Sequence, residues 1–457
     1  MPPRPILAPC FRLLLLFALF VLFALPVAAP AFASPTFAGD VCPLPDSVRV
    51  DSIVFEGLRT TRGFVVRREL RHRPGVPFSC EDWRIEKARL EDLDIFAEIR
   101  LRAEPAGDSA GSGPVRLVYV FKELPAYVPF VAVSKTEQDG LSAGPAIASL
   151  NLLGRDIRLE IITRFGGTSE MLAAISSPWI GPLPWEYDLA LIHIDSYNAF
   201  EDFHEDSWRG KLDLQRRIRG PLQLLLNGEM FWIRDGEAVP GAPTPTLSPG
   251  WDFVPRLGGG LLWDARDRRR NPGRGVYQEV RYTRNGGLLG GDAEYGEWLS
   301  DSRAYLPWLG RNVLFLGVLY QYRNGRLGES FPFYDRFHAG GINTLRGFKT
   351  DALAGKSEWI ANLENRYDLI RMRTVKVGPW DFYYGLQGII GFEAASLWDH
   401  DALLEEKAHA GVYLGMHLLV AGIDRIRIEL GSNTAKFEFR TDIGILEKSD
   451  AQRFRAR

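Results

Sequence analysis

Cysteine is scarce in this chain. Only Cys10, Cys42 and Cys80 occur in 457 residues, and their spacing fits neither a zinc site nor a redox C-x-x-C motif. A basic excess is also missing: the formal net charge of -2 gives no global field for drawing in nucleic acid. Past the N-terminus, no stretch reaches the ~18 apolar residues that a spanning helix needs. The seven histidines lack H-E-x-x-H spacing. His193 and Asp195, on one side of a strand, read as a wet face rather than as metal ligands. No glycine-rich phosphate cradle opens a helix, so neither a metal nor any other cofactor is expected. Gly140-Leu141-Ser142-Ala143-Gly144 spells G-x-S-x-G, but a nucleophile elbow needs strand, sharp turn and helix in succession. A hairpin-like Gln138-Asp139-Gly140 precedes it and an alternating strand follows. With no paired catalytic carboxylates either, the chain is not expected to be an enzyme.

What is present begins with an export signal. Arg4 and Arg12 precede an apolar run from Leu13 to Ala33 that ends in Ala31-Phe32-Ala33. This reads as a signal peptide over residues 1–33, because Pro26 and Pro30 break the helix where a peptidase needs extended chain. The competing reading is an uncleaved anchor. In an oxidising compartment, Cys42 and Cys80 are expected to form a structural disulfide.

Residues 34–47 read as a linker and residues 48–123 as a small α/β unit. Val48 to Phe55 alternates like a strand, and Thr61 to Arg71 and Asp82 to Leu93 carry helical apolar faces. Ile95 to Leu101 and Val115 to Phe121 complete the order strand, helix, helix, strand, strand. The opening Ile53-x-Phe55-x-Gly57 and the phrase Leu90-x-x-Leu93-x-x-Phe96-x-x-Ile99 resemble a POTRA domain, the polypeptide-transport-associated module of outer-membrane assembly proteins.

From residue 125 to 446 the helical period gives way to short alternating runs separated by Gly, Pro, Asn and Asp. Arg425, Arg427 and Glu429 interleave with Ile426, Ile428 and Leu430; Lys211, Asp213 and Gln215 alternate with Leu212 and Leu214. Period two with charge on one face means one wet and one apolar side. At ~20 residues per strand and connection, this length makes roughly 16 antiparallel strands, an even-numbered transmembrane β-barrel in contact with the lipid bilayer. Trp179, Trp185, Trp232, Trp251, Trp308, Trp359 and Trp398 are expected in its interfacial girdles. Pro129 suits an edge or weak seam in the first strand. Residues 447–457 read as a solvated tail.

Three phrases resemble the BamA/TamA outer-membrane assembly superfamily. They are Asn151-Leu152-Leu153-Gly154-Arg155; Asp264-x-Arg266-Asp267 with Asn271-Pro272-x-x-Gly275; and Gly340-Gly341 with Arg346-Gly347-Phe348. The last looks like the tip of the family's long sixth loop, which folds back into the barrel. A guanidinium in a narrow lumen needs a partner. The resemblance places that partner in an F-x-D motif on the thirteenth strand, where this chain reads Gly391-Phe392-Glu393. Glu393 is therefore the expected partner, Glu358 and Glu364 are its rivals, and the motif's Phe has become Gly391.

The resemblance implies an outer-membrane protein with a periplasmic N-terminal domain that inserts or translocates unfolded client polypeptides without nucleotide. Accessory lipoproteins are its conceivable partners. Export of a dedicated substrate in two-partner secretion, a porin-like or structural barrel, and a surface binding module using the Pro-rich loop at 236–250 are the alternatives.

Overall fold

The computed structural model describes residues 42–447 except 43, 47, 107–112, 137–139, 199–202, 237–245, 249, 270, 342–343, 378–379, 406, 421–422 and 434–438. The signal segment, most of the 107–113 and 236–250 loops, and residues 448–457 lie outside the described residues.

The N-terminal unit runs β1 (Val50–Glu56), α1 (Gly63–Glu69), α2 (Cys80–Asp92), β2 (Phe96–Pro105) and β3 (Val115–Glu123). β3 is central in the sheet, parallel to β1 and antiparallel to β2. Ser79 starts α2 by accepting the Asp82 N–H at 3.3 Å, and Glu81 and Asp82 favour the positive helix end. Val65, Val66, Leu90 and Leu117 are fully buried between helices and sheet, each contributing about 1.5–3 kcal/mol. Cys42 and Cys80 form a disulfide, which ties the entering chain to the start of α2.

Sixteen strands follow in one continuous antiparallel sheet. They are β4 (Tyr127–Thr136), β5 (Gly140–Ser149), β6 (Arg158–Gly166), β7 (Ser169–Ser177), β8 (Trp185–Asn198), β9 (Phe203–Arg219), β10 (Leu222–Asp235), β11 (Asp252–Asp264), β12 (Gly275–Gly286), β13 (Glu294–Trp308) and β14 (Asn312–Arg323). After a long loop carrying the short pair β15 (Phe337–Ala339) and β16 (Leu353–Gly355), the sheet resumes with β17 (Ser357–Val377), β18 (Trp380–Trp398), β19 (His409–Val420), β20 (Ile423–Asn433) and β21 (Phe439–Glu447). The end strands β4 and β21 approach within 8 Å at Cα, but no backbone ladder joins them among the described residues. Pro129 thus sits on the sheet's edge strand, where a missing N–H costs least.

Alternation sorts the side chains. Leu189, Leu191, Leu257, Leu261, Ile390 and Leu414 are exposed on the outside, while Glu279, Glu364, Glu393, Arg427 and Glu429 are buried inside. Trp232, Trp251 and Trp308 are exposed, as a girdle requires. Trp359 and Trp398 depart from that expectation. Both are buried beneath the β18–β19 connection, donating their indole N–H groups to the Glu405 and Ala402 carbonyls.

The N-terminal unit docks under the rim that carries the connections of β5–β6, β7–β8 and β11–β12. In the first, Gly154 (φ +71°) sits so close that a Cβ would meet the Thr60 carbonyl oxygen at 2.0 Å. The Arg62 N–H donates to the Gly154 carbonyl at 2.9 Å, and Asn151 Nδ2 to Thr61 Oγ1 at 2.8 Å. Arg68 pairs with Asp156 at 2.6 Å, Trp179 donates to Glu69 at 3.1 Å, and the Arg269 N–H donates to Asp92 at 3.4 Å. Burial pushes Asp92 up to about 6 and Asp156 up to about 7, against the pull of the neighbouring arginines.

Candidate functional site: the lumen latch

The long loop between β14 and β17 turns back into the lumen, and its glycines permit the turn. Gly340, Gly341 and Gly347 all have positive φ. At Gly347 a Cβ would lie 2.5 Å from the Ser432 carbonyl carbon, so the tip rests directly on the backbone of β20. β19 and β20 yield in turn: a Cβ at Gly411 would meet the Arg346 carbonyl oxygen at 2.9 Å, and one at Gly431 would meet the Gly347 nitrogen at 2.5 Å.

This seating carries Arg346 into a site where it is 1% exposed. Its Nη1 donates to Glu393 Oε2 at 2.7 Å, and its backbone N–H donates to the other oxygen of the same carboxylate. Its Nε donates to Glu429 Oε2 at 2.5 Å. Glu429 is also held by His417 Nε2 at 2.7 Å and lies 3.6 Å from Arg427. One loop residue is therefore clamped to two strands, β18 and β20, by opposite charges in a buried site, where such hydrogen bonds are strongest.

Of the expected partners, Glu393 is in place. Glu358 and Glu364 are not hydrogen-bonded to Arg346: Glu364 accepts from Arg366 Nε at 2.5 Å and from the Tyr413 hydroxyl at 2.7 Å, and Glu358 lies higher on β17. Glu429 takes the rival position. Its parity with Arg425 and Arg427 was visible in the alternation, but nothing in that pattern indicated which lumen carboxylate the loop would reach.

The exchange of the motif's Phe for Gly391 also has a structural counterpart. Gly391 pairs with Tyr413 across β18 and β19, and a Cβ on Gly391 would lie 2.3 Å from the Tyr413 ring. The ring occupies that space, and the Arg346 guanidinium stacks over it 3.8 Å from the centroid. Phe348 meets His409 edge-on at 5.9 Å.

The Asp264–Gly275 connection is a rim turn rather than part of the latch. Arg266 forks onto Asp264 with both bonds at 2.8 Å, and Asp267 accepts the Gly273 and Arg274 N–H groups at 3.0 and 3.2 Å. Asn271 takes a positive φ before Pro272, and Gly275 packs where a Cβ would lie 2.2 Å from the Ala265 carbonyl oxygen. Ser142 of the G-x-S-x-G phrase lies within β5, its hydroxyl accepting the Thr168 N–H at 2.8 Å.

Residues 151–383, half of the chain, match the model of the Omp85 superfamily domain. The chain belongs to the Omp85 superfamily. Omp85 membership points to the bacterial outer membrane as the setting of the barrel. Among solved structures, the chain resembles BamA from Haemophilus ducreyi lacking POTRA domains 1-3, at 17% identity and TM-score 0.55, over 86% of this chain and 83% of that one. It also resembles CdiB from Escherichia coli at 14% identity and TM-score 0.58, over 87% and 74% of the two chains. CdiB from Acinetobacter baumannii gives 14% identity and TM-score 0.56 over 86% and 73%. At these identities the likeness establishes the Omp85 fold. Glu393 and Glu429 both lie beyond the matched residues.

Proposed function

We propose that this barrel inserts client polypeptides into the outer membrane or moves them across it, with no nucleotide. The observation that carries the reading is the double clamp on Arg346. A buried cation shared by two carboxylates costs desolvation, which is more readily understood in a movable part than in a passive wall. The fold likeness to BamA and CdiB supports it. In this reading residues 1–33 are removed on export, and residues 48–123 are a POTRA domain in the periplasm. That domain offers a sheet edge to unfolded clients by β-augmentation, with lipoproteins as potential accessory partners.

The test is Arg346→Ala in cells, followed by comparison of the outer-membrane proteome. Loss of client proteins, with the variant barrel still showing its heat-dependent gel shift, is the expected result. Unchanged client levels would reject the assignment. Accumulation of clients inside the periplasm distinguishes insertion from export, in which one secreted protein alone would be missing.

A further inference from the structure

The long loop has a second attachment, eleven residues before the Arg346 tip. A 3-10 turn at Phe333–Asp335 lies against the opposite part of the wall, at the rim away from the N-terminal unit. Asp335 is buried there and accepts from Arg256 Nη2 of β11 at 2.8 Å and from the Tyr295 hydroxyl of β13. Arg323, at the end of β14, donates to the Asp335 backbone carbonyl and is paired with Glu297 at 2.6 Å. Arg256 in turn lies 3.6 Å from Glu229 of β10. An aromatic lid closes over these charges: Phe331 meets Tyr295 edge-on at 4.8 Å, Tyr334 meets Phe231 at 5.8 Å, and Phe231 and Phe331 are fully buried.

Between the two attachments the loop lies on the wall. Ala339 and Leu345 are buried against Leu299, Leu319, Ile360 and Ala395, which belong to β13, β14, β17 and β18. The loop therefore lines the interior from β10 to β20, fixed at one end through an acid and at the other through a base.

We propose that Asp335 is a second anchor of the long loop, a positioning residue that keeps the far half of the lumen closed to ions independently of the Arg346 clamp. Arg323, Asp335 and Tyr334 are all buried at this end of the loop. Detaching that end uncovers charged walls that are otherwise sealed. The inference rests on the barrel and its loop alone, and holds whether or not the protein handles polypeptides.

The experiment is ion conductance of the full-length protein in planar bilayers. Asp335→Asn, which keeps the shape and removes the charge, should raise mean conductance several-fold, whereas Asp335→Glu should stay near the starting value. Tyr295→Phe, which deletes only the hydroxyl, should give a smaller rise. All three should retain the heat-dependent gel shift, which a general loosening of the barrel would abolish. If Asp335→Asn inserts and conducts like the parent protein, the second anchor is refuted. If Asp335→Asn does not insert, a parent-like conductance of Tyr295→Phe refutes it instead.

Discussion

Replacing Glu393 and Glu429 by Gln, singly and together, separates the two halves of the Arg346 clamp. Glu393 receives two hydrogen bonds from the loop residue, one from the guanidinium and one from the backbone N–H; Glu429 receives only one. A hydrogen bond to a charged group contributes about 1.5–3 kcal/mol. Glu393→Gln should therefore weaken seating of the loop by about 3–5 kcal/mol, the usual cost of breaking a buried pair, and Glu429→Gln by about half that. The double variant leaves a buried guanidinium without either of its hydrogen-bonded carboxylates and should exceed the sum of the singles. Because Arg346 is 1% exposed, trypsin can cut after it only when the loop has left its seat. When opening is fast, the cleavage rate follows the open population. Glu393→Gln should then accelerate cleavage by roughly two to three and a half orders of magnitude, since about 1.4 kcal/mol is tenfold. Equal cleavage of both single variants and the parent would refute the claim that the carboxylates hold the loop.

Gly391→Phe should unseat Arg346 by driving a side chain into the Tyr413 ring, and the double change with Tyr413→Gly should recover part of the trypsin protection. Gly347→Ala should also expose the tip, because its positive φ and the 2.5 Å approach to Ser432 both resist a methyl group. At the near rim, burial raises Asp92 and Asp156, so the docked state holds their protons more tightly than the separated state. Docking of residues 48–123 should thus strengthen as pH falls from 8 to 6 and weaken as it rises through 7. Asp156→Asn should flatten that dependence in a distance measurement between labels on α1 and the barrel. Replacing Cys42 and Cys80 by Ser should lower the stability of the N-terminal unit by about 2–4 kcal/mol, visible as an earlier thermal transition that reductant reproduces in the parent.

The barrel was legible because a strand with lipid on one face and water on the other alternates apolar and polar residues with period two. Lys211, Asp213 and Gln215 announced their strand, and β9 follows at Phe203–Arg219. Arg346 was legible through its glycine setting, and Glu393 through its place in the chain. Glu429, Tyr413 and Asp335 were not, because a partner across the lumen is chosen by how the loop folds back, and period two says nothing about that path. Trp359 and Trp398 misled for the same reason: their outward parity was right, but the connection that covers them left no mark in the strand pattern.

Among the described residues no ladder joins β4 to β21, which makes the meeting of the sheet's ends the weakest line in the wall. Tearing β10 from β11 would break a junction of a dozen register pairs, each bond contributing about 0.5–1.5 kcal/mol and more where lipid cannot replace it. Parting the ends of the sheet breaks none of these. Along that line, among the described residues, two edge strands face each other with backbone N–H and C=O groups that no ladder occupies.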